Sequence, residues 1–349
     1  MRPWLLVIFL SSALICKAGD PASALNRIVD HQPDARPFVR TDLGYMVPYQ
    51  QRVPGTDTSI LMIPVPGSTD ANGAMIEPYW MGRYEITVEQ FAPYTELYET
   101  VGRDRDVRWE ERHKGAGAVV VSVDAVTAPT EVYDPSFRFE YSSKPDSPVP
   151  SMTQFAARQY TKWLSAVTGV DYCLPTLTQW QDACRGGTET PWSFDDRAAI
   201  ARKFCVYADP STTGITLRVG RTLPNPYGLC DMHGSLAEWV IDDVSGKQHY
   251  QTHPMCGGSF QDDLKDCRWD SIKHCTARYW AEDPNLPLSP WWLASTDAVE
   301  VGFRIISPLQ KMTDEQKRER WESDSEQLTR DLQQRMKEGR GRFVRVTKD

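Results

Sequence analysis

The chain has 349 residues, 40% hydrophobic and 25% charged, enough to bury one large core or two small ones. A formal net charge of −8 excludes nucleic acid as a partner, because phosphate binding needs a basic face. Twelve Trp and 25 Pro point to a loop-rich, aromatic-cored protein and away from a helical bundle.

Met1-Arg2 is followed by an apolar run from Trp4 to Cys16, then Lys17-Ala18-Gly19 and Ala22-Ser23-Ala24. A basic start, a short apolar stretch and a small-residue cleavage motif predict a signal peptide over residues 1–24. The cut falls after Ala24, with Ala18 as the alternative, and a secreted or periplasmic protein is expected. The run is well short of the ~20 apolar residues that cross a bilayer, so no stable membrane span is expected. Without Cys16, seven cysteines remain, at 173, 184, 205, 230, 256, 267 and 275. An exported chain can hold disulfides, and an odd count leaves at least one thiol free or intermolecular.

Residues 25–58 are polar and contain proline, and read as a leader strand or loop. From Ser59 the run ILMIPVPG predicts a buried strand closed by a Pro-Gly turn. EPYWMGRYEITVEQFAPYTELY then predicts a strand leading into a helix. Thr87 is its N-cap, Gln90 is placed for a capping box, and Phe91, Tyr94 and Leu97 sit at helical spacing. Residues 101–147 are charged and then β-rich, and read as a surface insertion. A second helix follows Ser151 or Thr153, carries Phe155, Tyr160, Trp163 and Leu164, and ends at Gly169. The last stretch, 308–349, predicts one charged amphipathic helix from Thr313 to near Gly339, with Trp321, Leu328, Leu332 and Met336 as a thin apolar stripe. Such a tail docks on the domain, extends into solvent, or binds a partner.

The chain is organised around Asn225 to Trp239, NPYGLCDMHGSLAEW. Asn225-Pro226 opens a turn, and Gly228 and Gly234 supply positive-φ or close-approach positions. Asp231 and Glu238 are seven residues apart around that turn. They can converge with backbone carbonyls into an oxygen cage for a hard cation such as Ca²⁺. Alternatively Asp231 caps backbone N–H groups and Glu238 is solvated.

This segment resembles the signature of the formylglycine-generating enzyme (sulfatase-modifying factor) family, N-x-[YF]-G-L-x-[DN]-M-x-G-N-x-x-E-W. Asn225, Tyr227, Gly228, Leu229, Asp231, Met232, Gly234, Glu238 and Trp239 fit it, and Ser235 replaces the usual Asn. Further matches are Glu85-Ile86-Thr87, Leu174-Pro175-Thr176 with Trp180, Arg185-Gly186-Gly187, Gly257-Gly258-Ser259-Phe260 and Gly302-Phe303-Arg304. Cys173, Leu177, Gln179 and Gln181 stand where the family usually has Arg and three Glu. The resemblance covers about 59–307, interrupted near 101–147 and 280–300. It implies an α+β fold of the formylglycine-generating-enzyme type, with C-type-lectin-like character and little regular secondary structure. It also implies a structural calcium bound by Asp231 and Glu238 with the carbonyls of Gly234 and Leu236. By the same resemblance, Cys184 would be bridged to a downstream cysteine, for which Cys275 is the candidate.

The family's oxidases convert a substrate cysteine to formylglycine with O₂ and Cu(I), held by cysteines three and eight residues after the Ser of G-G-S. Thiolates suit this soft ion. Here those positions are Asp262 and Cys267. With one ligand a hard carboxylate, copper is not expected, no catalytic residue is assigned, and Cys267 is left as a buried thiol or a disulfide partner, of Cys256 for instance. The expectation is a non-catalytic binding or accessory module with a protein or glycan ligand. The alternative is a copper-dependent oxidoreductase that activates sulfatases. His249, His253 and Cys256 have ligand-like spacing for zinc, but Pro254 and Gly257-Gly258 break any helix and no fourth ligand is evident. His233 and His274 are expected at the surface or in a second layer. No G-x-S-x-G, P-loop or dinucleotide fingerprint is present.

Overall fold

The computed structural model describes residues 27–54, 56–69, 72–103, 123–124, 139–194, 198–209, 216–241, 253–275, 291–293, 296–323, 326, 328–330 and 343–344. The signal peptide, His249 and most of the 101–147 segment lie outside the described residues.

A small antiparallel sheet opens the chain: β1 (Ile28–Val29), β2 (Val39–Thr41) and β3 (Gly44–Met46), with β3 in the middle. The next strands are β4 (Tyr49–Arg52), β5 (Ser59–Val65), the short pair β6 (Ser68–Thr69) and β7 (Met75–Ile76), and β8 (Tyr79–Gly82). β4 pairs antiparallel with β5 with Tyr49 opposite Met62. The expected leader therefore already contributes a strand to the main sheet. Arg27 anchors it, its guanidinium 4.9 Å from the Tyr49 ring centre and 5.0 Å from that of Trp80.

Helix α1 (Val88–Arg103) begins as expected. Thr87 N–H donates to Gln90 Oε1 at 3.0 Å and Gln90 N–H to Thr87 Oγ1 at 3.3 Å, satisfying two donors that a helix start leaves unpaired. Within the intervening segment, β9 (Val123–Asp124) is the strand among the described residues. Helix α2 (Gln154–Thr168) is capped by Thr153 and stopped by Gly169 at φ 73°. Facing aromatics lock α1 to α2: Phe91 and Tyr160 rings lie 5.2 Å apart, Tyr94 and Trp163 rings 5.8 Å. Each such pair adds about 0.5–1.5 kcal/mol beyond its burial. Helix α3 (Leu177–Arg185) starts with a full Thr176–Gln179 capping box. Gln179 thus performs locally what a Glu would, which explains how the helix start survives the loss of the family's acids.

Two short strands, β10 (Cys205–Val206) and β11 (His233–Gly234), pair in parallel. β12 (Ala237–Trp239), β13 (Pro254–Cys256), β14 (Ile272–His274) and β15 (Val301–Gly302) form a second four-stranded sheet in the order β14-β13-β12-β15. β16 (Ile306–Pro308) returns to the first sheet, giving β16-β8-β5-β4. One core lies around α1 and α2 with Trp239, Trp291, Trp292 and Phe303; a second joins β5, β8 and α3 through Ile63, Tyr79, Trp180 and Leu229. Trp291, Trp292 and Leu293 were expected within an insertion at 280–300, yet they are buried core residues. Thr153 N–H donates to the Trp291 carbonyl, and Leu293 N–H to that of Ser151.

The tail differs from the expected single helix. Its described helix, α4 (Asp314–Trp321), ends at Glu322, whose backbone is extended. It lies on α2. Arg158 Nη2 donates to the Glu319 carbonyl at 2.9 Å, Gln159 Nε2 to the Trp321 carbonyl at 2.5 Å, and Trp321 Nε1 to the Tyr172 carbonyl at 2.8 Å. Leu328 is buried in the first core, so the tail docks on the domain. Beyond it, β17 (Phe343–Val344) pairs with β9.

Candidate functional site

Asn225 ties the signature loop to the end of α3. Its Nδ2 donates to the carbonyls of Ala183 (2.7 Å) and Cys184 (3.2 Å), while its Oδ1 accepts from the N–H groups of Tyr227 (3.0 Å) and Leu229 (3.1 Å). The loop then turns through left-handed backbone at Asp231 (φ 57°), Gly234 (φ 74°) and Ser235 (φ 63°). A Cβ at Gly234 would lie 1.9 Å from the Val206 carbonyl oxygen, so only glycine fits against β10.

Asp231 accepts from Gly220 N–H, from Thr222 N–H at 3.1 Å and from Thr222 Oγ1 at 2.9 Å. It caps backbone, as one reading of the sequence expected. Burial nonetheless raises its carboxyl above the ordinary range, partly offset by those donors. Glu238 was expected to be solvated or to bind metal. Instead it is 1% exposed and saturated by protein donors: Arg304 Nε to Oε2 and Nη2 to Oε1, both 2.6 Å, and Trp180 Nε1 to Oε2 at 2.7 Å. Arg304 also donates to the carbonyls of Gly82 (3.1 Å), Arg83 (3.3 Å) and Cys230 (3.2 Å). Burial opposes its charge, but Glu238 outweighs it and raises the guanidinium's pKa. Glu85 completes the group. Its Oε1 accepts from Leu236 N–H at 3.1 Å and its Oε2 has no protein partner. Burial first, then the charges of Asp231 and Glu238, push its carboxyl well above the ordinary value.

These contacts bear on the calcium expected at Asp231, Gly234, Leu236 and Glu238. Both carboxylates are committed to N–H and O–H donors, and a guanidinium stands against Glu238. The residues as placed do not fit a cation cage. Among the described residues no group of three or more His, Cys, Asp and Glu is arranged to hold a metal ion, the zinc pair His253 and Cys256 included.

The copper positions are likewise occupied by protein. Asp262 Oδ2 accepts from Ser259 N–H and Oγ, each at 2.7 Å, and both its oxygens face Lys273 Nζ at 2.9 and 2.7 Å. Lys273 also reaches Glu300 Oε2 at 3.1 Å, and Ser259 Oγ lies 2.8 Å from the same oxygen. Cys267 is fully buried beside Cys205, Phe194 and Ala201. Cys256 belongs to the second core, and no disulfide joins it to Cys267 in this structure. Nor is Cys184 joined to Cys275: Cys184 is a free thiol 3.8 Å from His233, and Cys275 packs in the first core.

Of the two places expected for His233, the surface is excluded: it is buried, in a second layer behind Cys267. Its Nδ1 lies 2.8 Å from the Cys267 carbonyl, and Ser193 N–H (3.1 Å) and Oγ (2.9 Å) meet Nε2. That pattern fits the neutral tautomer with hydrogen on Nδ1, and burial lowers the ring's pKa to about 4. Lys273 was missed in the sequence because nothing near it in the chain reveals Asp262, 11 residues away.

An α+β domain with a buried signature loop, a G-G-S-F turn and a closing G-F-R defines a sulfatase-modifying-factor type of protein. The chain belongs to the family described as "Sulfatase-modifying factor enzyme 1-like domain", which matches residues 55–283. It is 25% identical over 210 residues to a formylglycine-generating enzyme of Thermomonospora curvata, covering 55% of this chain and 68% of the relative. Solved structures similar to it include PvdO from Pseudomonas aeruginosa, with TM-score 0.48 and 18% identity, covering 74% of this chain and 99% of the other. Treponema denticola variable protein 1 gives TM-score 0.47, 17% identity, and 75% and 99% coverage. No helix among the described residues is long and apolar enough to cross a membrane.

Proposed function

We propose that this chain is a non-catalytic member of its family, exported by its N-terminal segment and acting as a binding or accessory module for a protein or glycan ligand. The observation that carries this reading is the Asp262–Lys273 ion pair, with Lys273 Nζ 2.7 Å from Asp262 Oδ2. Where the family's oxidases present a second thiolate, this chain presents a carboxylate neutralised by an ammonium group. A soft, monovalent copper ion gains little from such a ligand, and the ammonium repels it.

The relative's name supports a second reading, a copper-dependent oxidase that converts cysteine to formylglycine. Incubating the purified protein with Cu(I), O₂ and a C-x-P-x-R peptide separates the two by mass spectrometry. Unchanged peptide is expected, and turnover to the aldehyde overturns the non-catalytic reading. Asp262→Cys should raise Cu(I) affinity.

A further inference from the structure

We propose that Lys273 and Asp262 condense into an intramolecular isopeptide bond, a covalent staple between β14 and the turn that follows G-G-S-F. Lys273 Nζ lies 2.9 Å from Asp262 Oδ1 and 2.7 Å from Oδ2. A nitrogen that close to both oxygens lies within the ~3–3.5 Å of Cγ at which reacting atoms are set to combine.

A closed ring of partners separates this pair from an ordinary surface ion pair. Nζ is 3.1 Å from Glu300 Oε2, that oxygen is 2.8 Å from Ser259 Oγ, and Ser259 Oγ is 2.7 Å from Asp262 Oδ2. Each gap is short enough for proton transfer. Ser259 is held in place, its N–H donating to Asp262 Oδ2 at 2.7 Å and its Oγ accepting from Gln261 N–H at 3.2 Å. The side chain of Glu300 is 3% exposed, those of Lys273 and Asp262 23% and 18%. The pairs Lys162–Glu322 and Lys265–Asp263, by contrast, stand in solvent. The backbone is also fixed: Lys273 faces Met255 across the β13–β14 pair, and Glu300 ends the helical turn that leads into β15.

The ring carries the whole reaction. Glu300 Oε2 takes a proton from the Lys273 ammonium and passes it through Ser259 Oγ to Asp262 Oδ2. The freed amine attacks Cγ, and the Cγ–Nζ bond forms. A second proton leaves Nζ by the same route, and Oδ2 departs with both protons as water, leaving Oδ1 as the amide oxygen. Ammonium and carboxylate thus become a neutral amide and one water, Glu300 and Ser259 end as they began, and nothing is oxidised or reduced. Holding the two groups together replaces a bimolecular condensation, an advantage that reaches effective molarities of about 10⁵–10⁸ M in well-oriented systems. The non-catalytic reading rests on the same two residues, yet the two fail separately. A missing bond leaves the ion pair and that reading in place, whereas turnover of the peptide overturns the reading whatever the bond.

The test uses the full chain as purified. Intact mass spectrometry after reduction should find the wild type lighter by one water than the mass calibrated on Lys273→Arg. After digestion, the peptide holding Lys273 should be joined to the one holding Asp262, by a link that reductant does not break. Glu300→Gln keeps the side chain's shape and removes the proton relay, and should restore the full mass. A wild type at full mass, a water loss that maps to other residues, or a Glu300→Gln protein still lighter by one water each overturns the proposal. The wild-type map decides even where a variant fails to fold.

Discussion

Arg304 Nε and Nη2 each lie 2.6 Å from a different oxygen of Glu238, and neither side chain reaches solvent. This two-armed pair joins the signature loop to the closing G-F-R block, and it makes the acid of the signature a structural element. Removing one partner of a buried pair strands the other charge, at a cost of about 3–5 kcal/mol. Glu238→Ala should destabilise the protein by that order in denaturant titrations. The loss should be the same in calcium and in chelator; a loss confined to calcium-containing buffer would reinstate the cation cage.

Glu85 gives a second test, in pH. Its carboxyl in the folded protein ionises well above its ordinary value of 4.5, because of burial and then the acids beside it. The folded state therefore holds a proton that the unfolded chain has released. The associated stability is complete below about pH 4.5 and is lost as pH rises through the folded-state pKa. Asp231, raised from 3.8, slopes the same way. Glu85→Gln should flatten this decline, so that the stability difference from wild type changes progressively above pH 4.5 in urea titrations run at several pH values.

His233 slopes in the opposite direction. Its pKa falls from 6.5 to about 4 on folding, so the unfolded chain binds the extra proton. Stability is lost as pH falls from 6.5 toward 4, by an amount on the order of 3 kcal/mol in all. In His233→Gln this acid-side loss should vanish. The difference between variant and wild type isolates it from the carboxyl groups, and a pH-independent difference would refute the assignment.

Gly234 meets backbone, which cannot move aside as a side chain can. Gly234→Ala combines a left-handed φ of 74° with a Cβ 1.9 Å from the Val206 carbonyl oxygen. A loss of about 1–3 kcal/mol is expected from the backbone strain alone, before the clash is added. Circular dichroism melts would register it, and a near-neutral substitution would mean that β10 is mobile.

Much of this architecture was legible from the chain, where cause and effect lie close in sequence. Thr87 with Gln90, Thr153 and Thr313 mark helix starts within the first turn, and all three helices start there. The signature glycines adopt the left-handed backbone expected of them. What stayed hidden depends on distant partners. Glu238 reads as a ligand or a solvated acid until Arg304, 66 residues on, is seen against it. Asp262 reads as a damaged copper ligand until Lys273 arrives from β14. In the tail the apolar stripe rightly marks Trp321 and Leu328 as the inward face, but nothing in it records that the helix breaks at Glu322.

The docking of that tail has a consequence for tolerance to change. Arg158 and Gln159 grip it by the main-chain oxygens of residues 319 and 321, groups that every amino acid carries. Position 319 can therefore drift freely among helix-forming residues without loosening the dock. A substitution on the α2 side, at Arg158 or Gln159, has no such freedom. In a library randomised at both surfaces, retained folds should keep Arg158, Gln159 and Trp321 while position 319 scrambles.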